Sequence, residues 1–198
     1  MILTNFCNLS FPRFNSLHTG RNRAAVLIPV FKREEVNILF TVRSDSLLEH
    51  AGEISLPGGS CEKNDRDIID TALRETYEEI GIKISSIRII GVLKNEISYN
   101  GKIVTPVIGI IDNYINESTL KINNREVKNL IFVPIRHLLE KSNFWSERWI
   151  RNNKFNIIYF YKFEPYIIWG LTGKVIYNFL EKYNKIMRFP NVKNSNVF

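Results

Sequence analysis

The segment from Asp65 to Ile80 constrains this chain more than any other. Its apolar positions, Ile69, Ala72, Leu73, Thr76 through its methyl and Ile80, recur at helical spacing, so one face is made to lie on a core. Asn64 or Asp65 is placed to cap the start of this helix, and Gly81 to end it. Within it, Arg74-Glu75-Thr76-Tyr77-Glu78-Glu79-Ile80-Gly81 sets Glu75, Glu78 and Glu79 three and four residues apart, a spacing that gathers side chains on one helical face. Carboxylates so close repel one another. A divalent cation offsets that repulsion, because Mg²⁺ takes oxygen ligands and commonly joins carboxylates to substrate phosphates. Arg74 stands one turn before Glu78 and is expected to pair with it. An acidic helical run by itself is usually a solvated face. Upstream, however, stands Pro57-Gly58-Gly59, where the backbone can turn sharply and come close to a metal or a phosphate.

The helix needs something to pack against, and β-branched and aromatic runs supply it. Residues 24–31 and 36–42 read as two strands joined by the charged Lys32-Arg33-Glu34-Glu35. Residues 43–59 are expected to form a long functional loop. Residues 87–93, 104–111 and 129–133 read as further strands, with Ser98-Tyr99-Asn100-Gly101 supplying a turn between the first two. A short helix over 134–141, a strand over 157–163 after the Asn152-Asn153 turn, and an amphipathic helix over 171–185 complete the pattern. The predicted fold class is α/β (α+β), a mixed central sheet flanked by helices. One domain spans 23–187, between an N-terminal arm at 1–22 and a flexible tail at 188–198.

Composition narrows the function classes without choosing one. At 198 residues, 44% hydrophobic and 24% charged, the chain has the make-up of an ordinary globular domain. A formal charge of +7 favours anionic partners, nucleotides and nucleic acids among them, although lysines spread along the whole chain account for much of the excess. Cys7 and Cys61 have neither disulfide nor metal spacing, which points to a reducing, cytoplasmic setting. No apolar run approaches the roughly 20 residues of a membrane span, so no membrane partner is expected, and Asn116-Glu117-Ser118 carries no weight as a glycosylation site.

With Gly59, Asp65 and the Arg74-Glu75 to Gly81 run in view, the sequence resembles the Nudix hydrolase family, whose signature joins a glycine, an acidic residue and an Arg-Glu…Glu-Glu-x-Gly helix. The spacing from Gly59 to Asp65 and on to Arg74 is one residue longer than the general pattern, and Asp65 replaces a glutamate. That variant is similar to the coenzyme A pyrophosphatase subfamily. A second stretch agrees: Leu39-Phe40-Thr41-Val42-Arg43-Ser44, then Leu47, His50, Gly52 and Pro57-Gly58-Gly59. The likeness continues through Val104 to Ile110 and through Trp169-Gly170-Leu171-Thr172. Leu48, Glu49, Glu53 and Leu56 depart from the subfamily and reduce positive charge in the loop.

The resemblance implies an α/β/α sandwich and a metal-dependent diphosphatase. Its substrate would be a small-molecule nucleoside diphosphate derivative, foremost coenzyme A, giving 3′,5′-ADP and 4′-phosphopantetheine. Glu75 and Glu79 would hold Mg²⁺ or Mn²⁺ with the carbonyl of Gly59, and Glu78 would share a second ion or activate water. Arg43 would contact a substrate phosphate, since guanidinium groups bind phosphate oxygens in pairs. Glu126 is either an additional base or ligand or a solvated loop carboxylate, and His50 stands nearby in the loop. Trp169, Tyr161 and Phe163 either line an apolar pocket or, as aromatics at strand positions more often do, form core. Monomer and homodimer both remain open. Competing readings keep the chemistry with ADP-ribose or another nucleotide as substrate, or make the chain a non-catalytic nucleotide- or RNA-binding module. Three crowded carboxylates disfavour the last, because a binder of anions has no use for them.

Overall fold

The structure, a computed structural model, describes residues 22–32, 34–111, 120–151 and 154–188. Cys7, Asn116 to Ser118, the Asn152-Asn153 turn and most of the arm and tail lie outside the described residues.

Strand β1 (Arg23–Lys32) is central. It runs parallel to β7 (Ile103–Ile111), which pairs antiparallel with β5 (Ile87–Val92) and β6 (Glu96–Ile97). On its other side β1 meets β2 (Val36–Arg43), and β2 pairs in turn with β8 (Val127–Pro134). The β1 to β2 pairing holds only from Val30 to Lys32 against Val36 to Ile38. Beyond it the two strands part, and two short strands fill the fork: β3 (Ile54–Ser55) pairs with β2, and β4 (Gly58–Ser60) with β1. The expected long loop over 43–59 thus contains a strand and the start of another. Strand β3 and the start of β4 are hard to see in sequence, since two and three residues, one set mostly glycine, have no periodicity.

Side-chain alternation divides the sheet into two faces. Ala25, Leu27, Phe31, Leu39, Val107 and Ile111 meet Ile68, Ala72, Leu73 and Ile80 of helix α1 (Ile68–Ile80). Ile28, Val30, Ile38, Phe40, Ile108 and Ile110 face the other way, toward Val175, Ile176, Phe179 and Leu180 of α3 (Gly170–Arg188). Burial of each such large side chain contributes roughly 1.5–3 kcal/mol. The result is the expected α/β/α arrangement. A short α2 (Ile135–Leu139) follows β8.

A second, three-stranded sheet lies beside α3: β9 (Phe144–Arg151), β10 (Lys154–Phe163) and β11 (Tyr166–Ile168). Tyr159 stacks on Tyr177 of α3 at 4.0 Å between ring centres, and Tyr161 is buried. Phe160 is also buried, while Trp169 stacks beside it and stays partly exposed. Strand β9 escapes the sequence reading because FWSERWIR mixes charge with aromatics and contains no β-branched run.

Helix α1 begins later than expected. Asp67, not Asn64 or Asp65, is its cap: the Asp67 Oδ1 accepts the backbone N–H groups of Ile69 and Asp70 at 2.8 and 2.9 Å. Gly81 ends it as expected, at φ 74° with its N–H on the Tyr77 carbonyl. Asp67→Ala is therefore expected to cost about 1 kcal/mol in urea unfolding, whereas Asn64→Ala, on an exposed side chain, should stay within about 0.5 kcal/mol.

Candidate active site

The fork between β1 and β2 opens beneath the middle of α1, and there the chain brings its carboxylates to the glycines. A Cβ at Gly59 would lie 2.4 Å from the Glu75 carboxylate, so a side chain there would have to push that carboxylate aside. Gly58, at φ 155°, would place one 2.2 Å from the Ala25 carbonyl oxygen. Close approach, more than a turn, is what this pair provides. The Gly58 N–H points at Glu79 Oε2 from 3.3 Å.

Glu79 is 5% exposed, and burial pushes its carboxyl up to about 8, helped by the charges of Glu75 and Glu126 and opposed by the Gly58 N–H and Arg43. Burial also raises Glu75, against the pull of Arg74. Glu78 is different. It is half exposed and turned toward Arg74.

Arg74 organises the outer side. Its Nε and Nη2 donate to the two oxygens of Asp65 at 2.9 and 3.1 Å, and Nη1 donates to Glu75 Oε1 and Glu78 Oε2, both at 3.0 Å. Nη2 also reaches the Ser60 carbonyl at 3.0 Å. The expected Arg74 to Glu78 pair is present, but it is one contact of several. Asp65, read from the sequence as a possible cap, is the buried anchor of this guanidinium. It accepts further hydrogen bonds from Thr71 Oγ1 and the Glu62 N–H, each 2.8 Å. The Arg74 hydrogen bonds foremost hold the Asp65 carboxyl down at about 2.

Two further residues come in from neighbouring elements. Arg43, at the end of β2, has a buried Nε without a hydrogen-bond partner among the described residues, and its charge acts on Glu79. Glu126 stands at the start of β8 close enough for its charge to act on both Glu75 and Glu79. His50 is engaged elsewhere: its Nδ1 meets Glu53 at 3.0 Å in the exposed loop, at φ 60°. Among the described residues no three His, Cys, Asp or Glu side chains already converge as a metal cage; Arg74 takes one oxygen each of Glu75 and Glu78 instead. The donor set nonetheless suits a hard divalent ion, since buried carboxylates that raise one another's pKa lose that penalty when a cation joins them.

The sequence from residue 21 to 152 matches the NUDIX domain model. The chain belongs to the Nudix family. A Nudix hydrolase of Yersinia enterocolitica, named NudL and styled uncharacterized, is 35% identical over 176 residues, which cover 89% of each chain. Its namesake in Photorhabdus laumondii is 32% identical over 166 residues, 84% of this chain and 87% of that one. Among solved Nudix structures, a binary complex of the C. elegans Ap4A hydrolase aligns with a TM-score of 0.50 at 19% identity, covering 59% of this chain and 83% of that one. A MutT/nudix protein from Enterococcus faecalis aligns with the same score at 15% identity over 94% of this chain and 68% of that one. Such identities speak for the shared Nudix fold. No helix among the described residues is long and apolar enough to cross a membrane.

The two buried carboxyls should tilt stability with pH in opposite directions. Glu79 holds a proton in the folded state that the unfolded chain releases near 4.5, so metal-free stability should fall as pH rises from there through about 8. Asp65 is ionised when folded, and its contribution should fade as pH falls from 3.8 through about 2. Urea midpoints across pH 2–9 should therefore lose the upper slope in Glu79→Gln and the lower one in Asp65→Asn.

Proposed function

We propose that this Nudix protein is a metal-dependent diphosphatase that cleaves the diphosphate linkage of a nucleoside diphosphate derivative, with coenzyme A as the favoured substrate. The observation that carries the reading is the buried Glu79 carboxyl, pressed between the Gly58 N–H and the charges of Glu75 and Glu126. A fold gains nothing from desolvating such a group without a partner.

Glu75, Glu79 and the carbonyl of Gly59 are the groups that would hold Mg²⁺ or Mn²⁺. When bound, such an ion neutralises phosphate oxygens and makes water a better nucleophile near neutral pH. The protein's own part is to place the substrate and take the proton. Arg43, at the end of β2, lies close enough for its charge to act on Glu79, and its guanidinium is the group that would donate to a phosphate oxygen. Glu78 keeps one oxygen on Arg74 and so has a fixed rotamer from which the other can accept a proton from the attacking water. Arg74 itself is saturated by Asp65, Glu75, Glu78 and the Ser60 carbonyl, which makes it a frame rather than a substrate contact. Water adds across one P–O bond of the anhydride, and two phosphate monoesters leave. From coenzyme A these are 3′,5′-ADP and 4′-phosphopantetheine.

Support for coenzyme A comes from the sequence motifs alone: the segment 39–59 that precedes the helix and the lengthened spacing from Gly59 to Arg74 are similar to those of the coenzyme A pyrophosphatase subfamily. One observation favours a second substrate. In the loop after β2, His50 meets Glu53 and Asp45 pairs with Lys128 of β8, so the charge of that lysine already has a carboxylate partner. A nucleotide without a 3′-phosphate, such as ADP-ribose, asks for less positive charge there.

Incubation with Mn²⁺ and coenzyme A should release 4′-phosphopantetheine, detected by mass spectrometry, and Glu79→Gln should lower the rate by at least about 100-fold. Parental turnover in that variant would refute the role given to Glu79. Cleavage of ADP-ribose at higher kcat/KM than coenzyme A would select the second substrate.

A further inference from the structure

Behind the C-terminal end of α1, the turn over residues 123–126 is fastened to the carboxylate site by a single asparagine. Asn123 donates its backbone N–H to the carbonyl of Glu79 at 2.9 Å, and its side-chain Nδ2 donates to Glu126 Oε1 at 3.0 Å. The same residue builds the turn: its Oδ1 accepts the Arg125 N–H at 3.2 Å, and its carbonyl accepts the N–H groups of Glu126 and Val127, both at 2.9 Å. The turn is also sewn to the end of β2. The Ser44 N–H donates to the Glu126 carbonyl at 2.8 Å, and Ser44 Oγ to the Asn124 carbonyl at 3.2 Å.

The backbone of Glu126 is thus held from two elements, while its side chain is exposed. A glutamate side chain in water loses considerable rotamer freedom when it is confined to one direction. A hydrogen bond from Asn123, whose main chain is itself anchored on Glu79, confines this one. Two hydrogen bonds thus link the end of α1 to the Glu126 carboxylate through one residue, Asn123.

We propose that Asn123 is a positioning residue that holds the Glu126 carboxylate against the Glu75 and Glu79 pair, so that a divalent cation bound there meets a further carboxylate. The inference rests on the metal-dependent reading above and extends it to a residue outside the Nudix helix.

The test is a double-mutant cycle on Asn123→Ala and Glu126→Gln, read by calorimetric titration with Mn²⁺ alone and by kcat on the best diphosphate substrate. Asn123→Ala should weaken Mn²⁺ binding about fivefold, Glu126→Gln by at least as much, and the double variant no more than Glu126→Gln alone. The drop in kcat should follow the same pattern, with KM little changed. Thermal unfolding of each variant reports the turn separately. Losses in Mn²⁺ affinity that multiply in the double variant, or Mn²⁺ affinity at the parental level in Asn123→Ala, would overturn the inference. If the cycle couples as expected but no diphosphate is hydrolysed, the inference stands and the substrate reading fails. A parent protein that binds no Mn²⁺ would end both.

Discussion

The arrangement of the site depends on one guanidinium among carboxylates. Arg74 gives two parallel hydrogen bonds to Asp65 and single ones to Glu75, Glu78 and the Ser60 carbonyl. A lysine could not replace it, since an ammonium is a point charge without a planar fork. The pairing with Asp65 joins the loop leading into α1 to the middle of that helix, across nine positions of sequence. It also offsets the mutual repulsion of the glutamates, which would otherwise bend the rotamers of this turn outward into solvent. Because Asp65 is buried and fully occupied by Arg74, Thr71 and the Glu62 N–H, the guanidinium has little freedom, and the glutamates inherit that rigidity.

The splayed sheet supplies the second half of the geometry. Had β1 and β2 paired along their whole length, no backbone could enter between them. They separate after Val30 and Ile38, and Gly58-Gly59 enters on the β1 side with its amide and carbonyl edge beneath α1. The space a side chain would need at Gly59 is taken by the carboxylate of Glu75. Helix and fork therefore depend on each other: the glycines admit the carboxylates, and the carboxylates of Glu75 and Glu79 lie against the backbone of Gly59 and Gly58.

How much of this was legible follows from what leaves a periodic trace. The α1 stripe, Gly81, β1, β2 and β7 could be read because burial imposes periods of 3.6 or 2 on their residues. The cluster of Glu75, Glu78 and Glu79 follows from the same helical period. Asp65 was visible as a residue but not in its role, since a carboxylate ahead of a helix suggests a cap, and only the fold shows that Asp67 already fills that place. Asn123 left no trace at all. Its two partners, Glu79 and Glu126, lie 44 positions upstream and three downstream, and no local pattern encodes such a bracket. Strand β9 was missed for a different reason: with residues 145–150 exposed, burial sets no alternation on it.

The buried Glu79 also says something about how stability and function divide the structure. A carboxyl at that depth, without a paired cationic side chain, favours its protonated form, the form least suited to a cation. Any cation binding there would have to displace that proton, so its affinity would rise with pH. Arg43 and the Gly58 N–H moderate this by favouring the ionised form, and neither is close enough to neutralise it outright. Full neutralisation by a paired cationic side chain would make the helix more stable and leave the carboxylate unavailable. Glu79 is thus compensated only in part, whereas Asp65, beside Arg74, is compensated far more fully.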